Sequence, residues 1–143
     1  MIKILIVDDE SIKERAIRSY INDSDVFVEV ASSINAALEK IRNEQFDLAI
    51  IDMKIPENSS TIETNTNGGI TLIERIKSLK SSKKPKNIIC ITSDKELLKE
   101  ALKQAQPGWF DARNWHFWHY RLYGSDTIIP KLKKRKCIDN EAI

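Results

Sequence analysis

The sequence alternates between short apolar runs and amphipathic helical stretches, and this alternation limits the folds that the chain can adopt. Strand-length apolar runs cover residues 2–7, 26–31, 48–52 and 87–92. A stretch with one apolar stripe at helical spacing follows each run. Strand and helix therefore alternate four times, which favours right-handed βαβ units and a parallel sheet. The sequence predicts an α/β fold.

The third run predicts a central strand with a functional residue at its end. Leu48–Ile51 is apolar without alternation, which is typical of a strand covered on both faces of a parallel sheet. Asp52 follows directly. Open α/β sheets bind ligands at the carboxyl ends of their strands, so Asp52 lies where chemistry is expected.

Polar side chains also end two other predicted strands. Asp8 and Asp9 follow the first strand, and Thr92 ends the fourth. If these strands are neighbours, three carboxylates and one hydroxyl converge on one sheet edge. Such a cluster is tolerated best around a hard divalent cation, and few protein ligands with open water positions favour Mg²⁺ over Ca²⁺. A metal that also contacts phosphate oxygens would make the central carboxylate a nucleophile toward phosphorus.

These residues resemble the receiver domain of two-component response regulators, over about the first 105 residues. The resemblance implies a flavodoxin-like doubly wound five-stranded parallel sheet with flanking helices. It implies that Asp52 is the phosphoacceptor and that Thr92 contacts the phosphoryl oxygens. It also implies that Asp9, Asp52 and the main-chain carbonyl of Lys54 bind Mg²⁺ directly, while Asp8 acts through water.

The family places a lysine, usually followed by proline, at the end of the fifth strand. Residues 126–130 are a short strand candidate, and Lys131 lies seven positions after Gly124, as the family lysine does. We therefore predict that Lys131 is the catalytic lysine and that residues 106–123 are an insertion. Arg113 is the alternative.

A second insertion is expected beside the candidate site. The connection between Asp52 and Thr92 is longer than this family usually has, which indicates extra residues at about 57–67. With these two insertions, residues 1–143 are predicted to form a single receiver domain.

Residues 109–123 contain seven aromatic side chains, including all three tryptophans. Aromatic residues with arginine nearby dominate many protein interfaces. We therefore predict that this segment, with the face of helix four and strand five, mediates homodimerisation or docking of a downstream partner. Burial against the domain itself is the alternative.

The charge balance and the apolar runs limit the remaining functions. Lys and Arg total 23 and Asp and Glu 21, so the net charge of +2 makes nucleic acid an improbable partner. No apolar run reaches membrane-spanning length and no signal peptide is visible, which predicts a cytoplasmic protein. Nothing after Lys131 is long enough for an effector domain, so a stand-alone receiver is expected.

The leading hypothesis is a phosphorylation-controlled switch. It takes a phosphoryl group from a histidine kinase or phosphotransfer protein and catalyses its own phosphotransfer and dephosphorylation, without turnover of a separate substrate. The alternative is a pseudo-receiver, which keeps the fold and acts as a constitutive protein- or RNA-binding module.

Overall fold

Five parallel strands form one sheet in the computed structural model. The structure describes residues 1–58, 68–104, 110–116, 118, 120–123 and 127–141. The strands are β1 (Ile2–Val7), β2 (Val26–Ala31), β3 (Leu48–Asp52), β4 (Ile88–Thr92) and β5 (Phe110–Asn114). Their order in the sheet is β2-β1-β3-β4-β5, and every neighbouring pair is parallel. The predicted flavodoxin-like doubly wound fold is confirmed.

Helices connect the strands and cover both faces of the sheet. They are α1 (Ser11–Tyr20), α2 (Ile34–Asn43), α3 (Gly68–Lys77), α4 (Lys95–Gln104), α5 (Tyr120–Tyr123) and α6 (Ile128–Glu141). Polar side chains fix two of the helix starts. The hydroxyl of Ser33 accepts the N–H of Ala36 at 3.1 Å, and the carboxylate of Asp94 accepts the N–H of Glu96 at 2.9 Å. In the described part of the chain, no helix is both long and apolar enough to cross a membrane.

Alternate strand residues enter two apolar cores, one on each face of the sheet. Leu5, Ala49 and Cys90 face the core that α2, α3 and α4 cover. Ile6 and Ile50 face the other core, which α1, α5 and α6 complete. Every residue of β3 is buried, as its unalternating sequence predicts. The sheet is therefore held from both sides, and the carboxyl end of β3 lies at the middle of one edge.

The prediction of the fifth strand at residues 126–130 is wrong. The strand is β5, Phe110–Asn114, inside the segment predicted to be an insertion at 106–123. Phe110 and Ala112 are buried between more polar neighbours, which is the alternation of an edge strand. Residues 128–130 instead begin α6. Pro130 lacks a backbone N–H, and the first turn of a helix needs none there.

Lys131 is consequently not at a strand end. It is an exposed residue of α6. Further along this helix, Lys133 bonds to the carboxylate of Asp23, and the ammonium of Lys136 lies 2.9 Å from that of Asp47. Both acids precede strands, so they lie at the amino-end edge of the sheet, opposite Asp52. The predicted position of Lys131 at the end of the fifth strand, on which its catalytic role was based, is therefore wrong.

The aromatic segment contributes to the core of the domain. Trp118 is fully buried and Phe110 nearly so, while Trp115 packs partly buried against the same core as Trp118. The expected insertion at 57–67 lies outside the described residues from position 59 onward.

Candidate functional site

Three carboxylates meet where β1 and β3 end. Val7 pairs with Ile51, so the residues that follow them emerge side by side. One carboxylate oxygen from each of Asp8, Asp9 and Asp52 lies within 4.8 Å of the others. Asp8 and Asp52 are buried and Asp9 is exposed, so the cluster opens to solvent on one side.

The Asp8 carboxylate is only half satisfied by the protein. Its Oδ1 accepts the N–H of Glu10 at 2.8 Å, whereas its Oδ2 is buried with no hydrogen-bond partner among the described residues. A buried polar atom without a partner is uncommon in folded proteins. Mg²⁺ binds carboxylate oxygens and usually keeps several waters. An acidic cluster that is open to solvent on one side therefore fits this ion.

Burial, with repulsion between neighbouring carboxylates, makes Asp8 and Asp52 hard to ionise. Burial, with repulsion from Asp52, raises the pKa of Asp8 from 3.8 to about 7. Burial also raises the pKa of Asp52, although the Lys13 ammonium beside it opposes the shift. Asp8 and Asp52 therefore retain protons more readily than ordinary carboxylates do.

This shift predicts a pH dependence of stability in the Mg²⁺-free protein. Because the pKa of Asp8 is raised on folding, the folded chain binds more protons than the unfolded chain between about pH 4 and pH 7. The contribution of Asp8 to the free energy of unfolding should therefore fall as pH rises through that window and stay low above it. Asp8→Asn should gain stability relative to wild type as pH rises. Chemical denaturation at pH 4.5 and pH 8 in EDTA measures the difference, and an equal effect at both values would contradict it.

Lys13 is a site residue that the sequence reasoning missed. Its ammonium lies 3.2 Å from Oδ2 of Asp52 and 5.5 Å from the centre of the Trp115 ring. Burial lowers the pKa of Lys13, but the Asp52 and Asp8 carboxylates outweigh that effect and raise it, so the side chain stays charged. The feature of the sequence that could have identified Lys13 is its position in the first turn of the helix that starts just after Asp8 and Asp9.

Thr92 lies at the end of β4, beside β3. It is buried, and its Oγ1 accepts the N–H of Asp94 at 3.0 Å. Its carbonyl accepts the N–H of Trp115 at 2.9 Å, which ties the end of β4 to the residue after β5. Because Oγ1 accepts that bond, the hydroxyl proton can be donated to another group.

Strand β5 ends in an amide and not in a cation. Asn114 pairs with Thr92 across the ladder, and Asn114 Oδ1 accepts the N–H of His116 at 3.0 Å. Arg113, the alternative to Lys131 from the sequence, has its Nε 3.3 Å from the carboxylate of Asp111. Among the described side chains, the cation beside Asp52 is Lys13, which the sequence reasoning did not select.

A glycine lets α3 pack onto the chain that leaves β3. A Cβ atom at Gly69 would lie 2.7 Å from Cα of Met53 and 2.9 Å from the carbonyl oxygen of Asp52. The N–H of Gly69 donates to the carbonyl of Met53 at 2.9 Å. This close approach fixes the backbone between Asp52 and Lys54, whose N–H lies 3.4 Å from Oδ1 of Asp52.

Comparisons with known proteins agree with this geometry. The family model described as "Response regulator receiver domain" matches residues 4–112. "Uncharacterized protein y4jS" of Sinorhizobium fredii is 34% identical over 116 residues, which are 79% of this chain and 27% of that protein. The chain thus spans about a quarter of the length of this relative.

Solved structures show the same fold at low sequence identity. The response regulator receiver domain (CheY-like) of Methylobacillus flagellatus has a TM-score of 0.63 at 16% identity, over 94% of this chain and 98% of that one. The receiver domain of the sensor histidine kinase PA1611 of Pseudomonas aeruginosa has a TM-score of 0.61 at 17% identity, over 78% and 83% of the chains. That structure contains a magnesium ion coordinated in its active-site cleft.

Proposed function

We propose that this chain, which belongs to the response regulator receiver domain family, accepts a phosphoryl group on Asp52 in an Mg²⁺-dependent reaction. The observation that carries the proposal is the convergence of Asp8, Asp9 and Asp52 at one sheet edge, with a buried oxygen on Asp8 that has no hydrogen-bond partner among the described residues. Because the described strands form one sheet, we also propose that residues 1–143 are a single receiver domain.

Three carboxylates and one main-chain oxygen would hold the metal. They belong to Asp8, Asp9, Asp52 and Lys54, the last through its carbonyl, with Asp8 acting through water. Bound Mg²⁺ supplies positive charge that offsets the charge developing on the phosphoryl oxygens. The magnesium ion in the cleft of the PA1611 receiver supports this assignment.

The protein's own groups carry the transfer. A carboxylate oxygen of Asp52 forms a bond to phosphorus while the bond from phosphorus to a donor histidine nitrogen breaks, and that electron pair returns to the imidazole. The Thr92 hydroxyl donates its proton to a phosphoryl oxygen, which can only accept, while its oxygen still accepts the N–H of Asp94. Water later hydrolyses the acyl phosphate.

The partners follow from this role. A histidine kinase or phosphotransfer protein in the cytoplasm supplies the phosphoryl group, and phosphorylation alters binding of a downstream protein or of a second copy. Trp118 cannot be a docking residue because it is buried. The surface proposed for partners is the face of α4 and β5, where Leu102 is half exposed, together with exposed Tyr123.

One observation favours a second candidate function. The lysine that ends strand five in the family is replaced by Asn114 at the end of β5. A receiver that lacks this cation could have lost controlled phosphotransfer and act as a constitutive binding module. The two functions differ in whether Asp52 becomes phosphorylated.

Intact-mass spectrometry after incubation with acetyl phosphate separates them. We expect wild type to gain the mass of one phosphoryl group with Mg²⁺ and none with EDTA. Asp52→Asn, which preserves the size of the side chain, should remain unmodified under both conditions. A folded wild type that stays unmodified with Mg²⁺ would support the constitutive module instead.

A further inference from the structure

We propose that Lys13 of α1 is the cation that binds the phosphoryl group on Asp52, in place of a lysine at the end of β5. This inference rests on the proposed function and assigns a further catalytic residue to it. The structural basis is the 3.2 Å contact between the Lys13 ammonium and Oδ2 of Asp52.

The Lys13 side chain is held at this position by its surroundings. One turn further along α1, Ile17 is fully buried and fixes the helix against the sheet. The ammonium lies over the ring of Trp115, and that ring stacks on Trp118 with centroids 6.2 Å apart. The side chain is 21% exposed. Its charge is thus placed between a carboxylate and an aromatic face, which stabilises it.

The negative charge of the site favours such a group. Three carboxylates face one another, and phosphorylation adds further negative charge. The neighbouring cations have other partners: Arg113 is 3.3 Å from Asp111, and the ammonium of Lys54 is 3.9 Å from Asp94. In the described part of the chain, the ion pair of Asp52 is with Lys13.

Lys13 contributes no atom to the bonds that form or break in the reaction. The Asp52 oxygen forms its bond to phosphorus, the donor's bond to phosphorus breaks, and the electron pair leaves with the donor. Lys13 keeps its protons and transfers a hydrogen bond from Oδ2 of Asp52 to a phosphoryl oxygen. This shift moves the ammonium relative to the Trp115 ring, so tryptophan fluorescence should report it.

Binding of beryllofluoride, a phosphoryl mimic, tests the inference without catalysis. The variants are Lys13→Met, which keeps an unbranched apolar side chain over Trp115 but removes the charge, and Lys13→Arg, which restores the charge. Isothermal titration calorimetry, whose signal does not depend on the contact between Lys13 and Trp115, measures the binding of Mg²⁺ alone and then of beryllofluoride at saturating Mg²⁺. Lys99→Met, on the surface of α4, is the matched control because Lys99 is 71% exposed.

Lys13→Met should bind beryllofluoride at least about tenfold more weakly, which is the size of a lost charge-assisted hydrogen bond. It should bind Mg²⁺ as tightly as wild type or more tightly, because a competing cation has left Asp52. The rate of labelling by acetyl phosphate should fall by about 10²-fold. Lys13→Arg should recover much of both losses, and Lys99→Met should match wild type.

Two results would overturn the inference while leaving the proposed function intact. One is wild-type affinity for beryllofluoride in a folded Lys13→Met. The other is an equal rate of labelling by acetyl phosphate in Lys13→Met and wild type. If wild type itself neither binds beryllofluoride with Mg²⁺ nor becomes labelled, the proposed function and this inference are both overturned.

Discussion

Replacing Asp9 by asparagine is expected to remove the stabilisation that Mg²⁺ gives the folded protein and to slow phosphorylation of Asp52 by about 10²-fold. Asp9 is the exposed member of the cluster; burial raises the pKa of Asp52, and the charge of Asp9 adds to that effect. The substitution keeps the shape of the side chain but removes one of three charges that would hold the metal. The Mg²⁺-free variant should therefore be as stable as wild type, or slightly more stable.

Thermal unfolding with and without Mg²⁺ measures this effect. A ligand at tenfold excess over its dissociation constant stabilises the folded state by about 1.4 kcal/mol, and this increment should appear in wild type and vanish in Asp9→Asn. Asp25→Asn is the matched control, because Asp25 is an exposed acid beside the amino terminus. Equal increments in wild type and Asp9→Asn would mean that Mg²⁺ does not bind this cluster.

Trp118→Ala is expected to lower the free energy of unfolding by about 3–5 kcal/mol. Trp118 is 1% exposed, stacks on Trp115 and meets the ring of Tyr20 edge-on at 5.4 Å. Truncation leaves a cavity between α1, α5 and the sheet, and such a loss is a large part of the stability of an ordinary domain.

Urea denaturation of wild type, Trp118→Ala and Tyr123→Ala tests this second expectation. Tyr123 belongs to α5 but is 41% exposed, so its truncation should cost much less. If Trp118→Ala kept wild-type stability and lost self-association, the aromatic segment would be an interface, as one sequence-based interpretation held.

The sequence predicted four strands well because each is a short, mostly apolar run, and β1, β3 and β4 are buried on both faces of the sheet. It also placed Asp8, Asp9 and Asp52 at one sheet edge, since parallel strands bring their carboxyl ends together. These features depend on local patterns and on one topological rule. The roles of the three aspartates in phosphotransfer remain proposals.

The errors come from the part of the chain where local patterns are weak. Strand β5 lies at the edge of the sheet and contains Asp111, Arg113 and Asn114, so its apolar content is low. Pro130 was assigned to a strand although it lies in the first turn of α6. The contact of Lys13 with Asp52 joins residues 39 positions apart and depends on how α1 packs, which no local pattern encodes.

The most direct test of the central claim is to locate the phosphoryl group on the chain. Wild type is treated with acetyl phosphate and Mg²⁺, the acyl phosphate is trapped with hydroxylamine, and the digested peptides are sequenced by mass spectrometry. The account predicts one modification, the hydroxamate at Asp52, that disappears when EDTA replaces Mg²⁺. A modification at any other residue, or an unmodified Asp52 in folded protein, would contradict it.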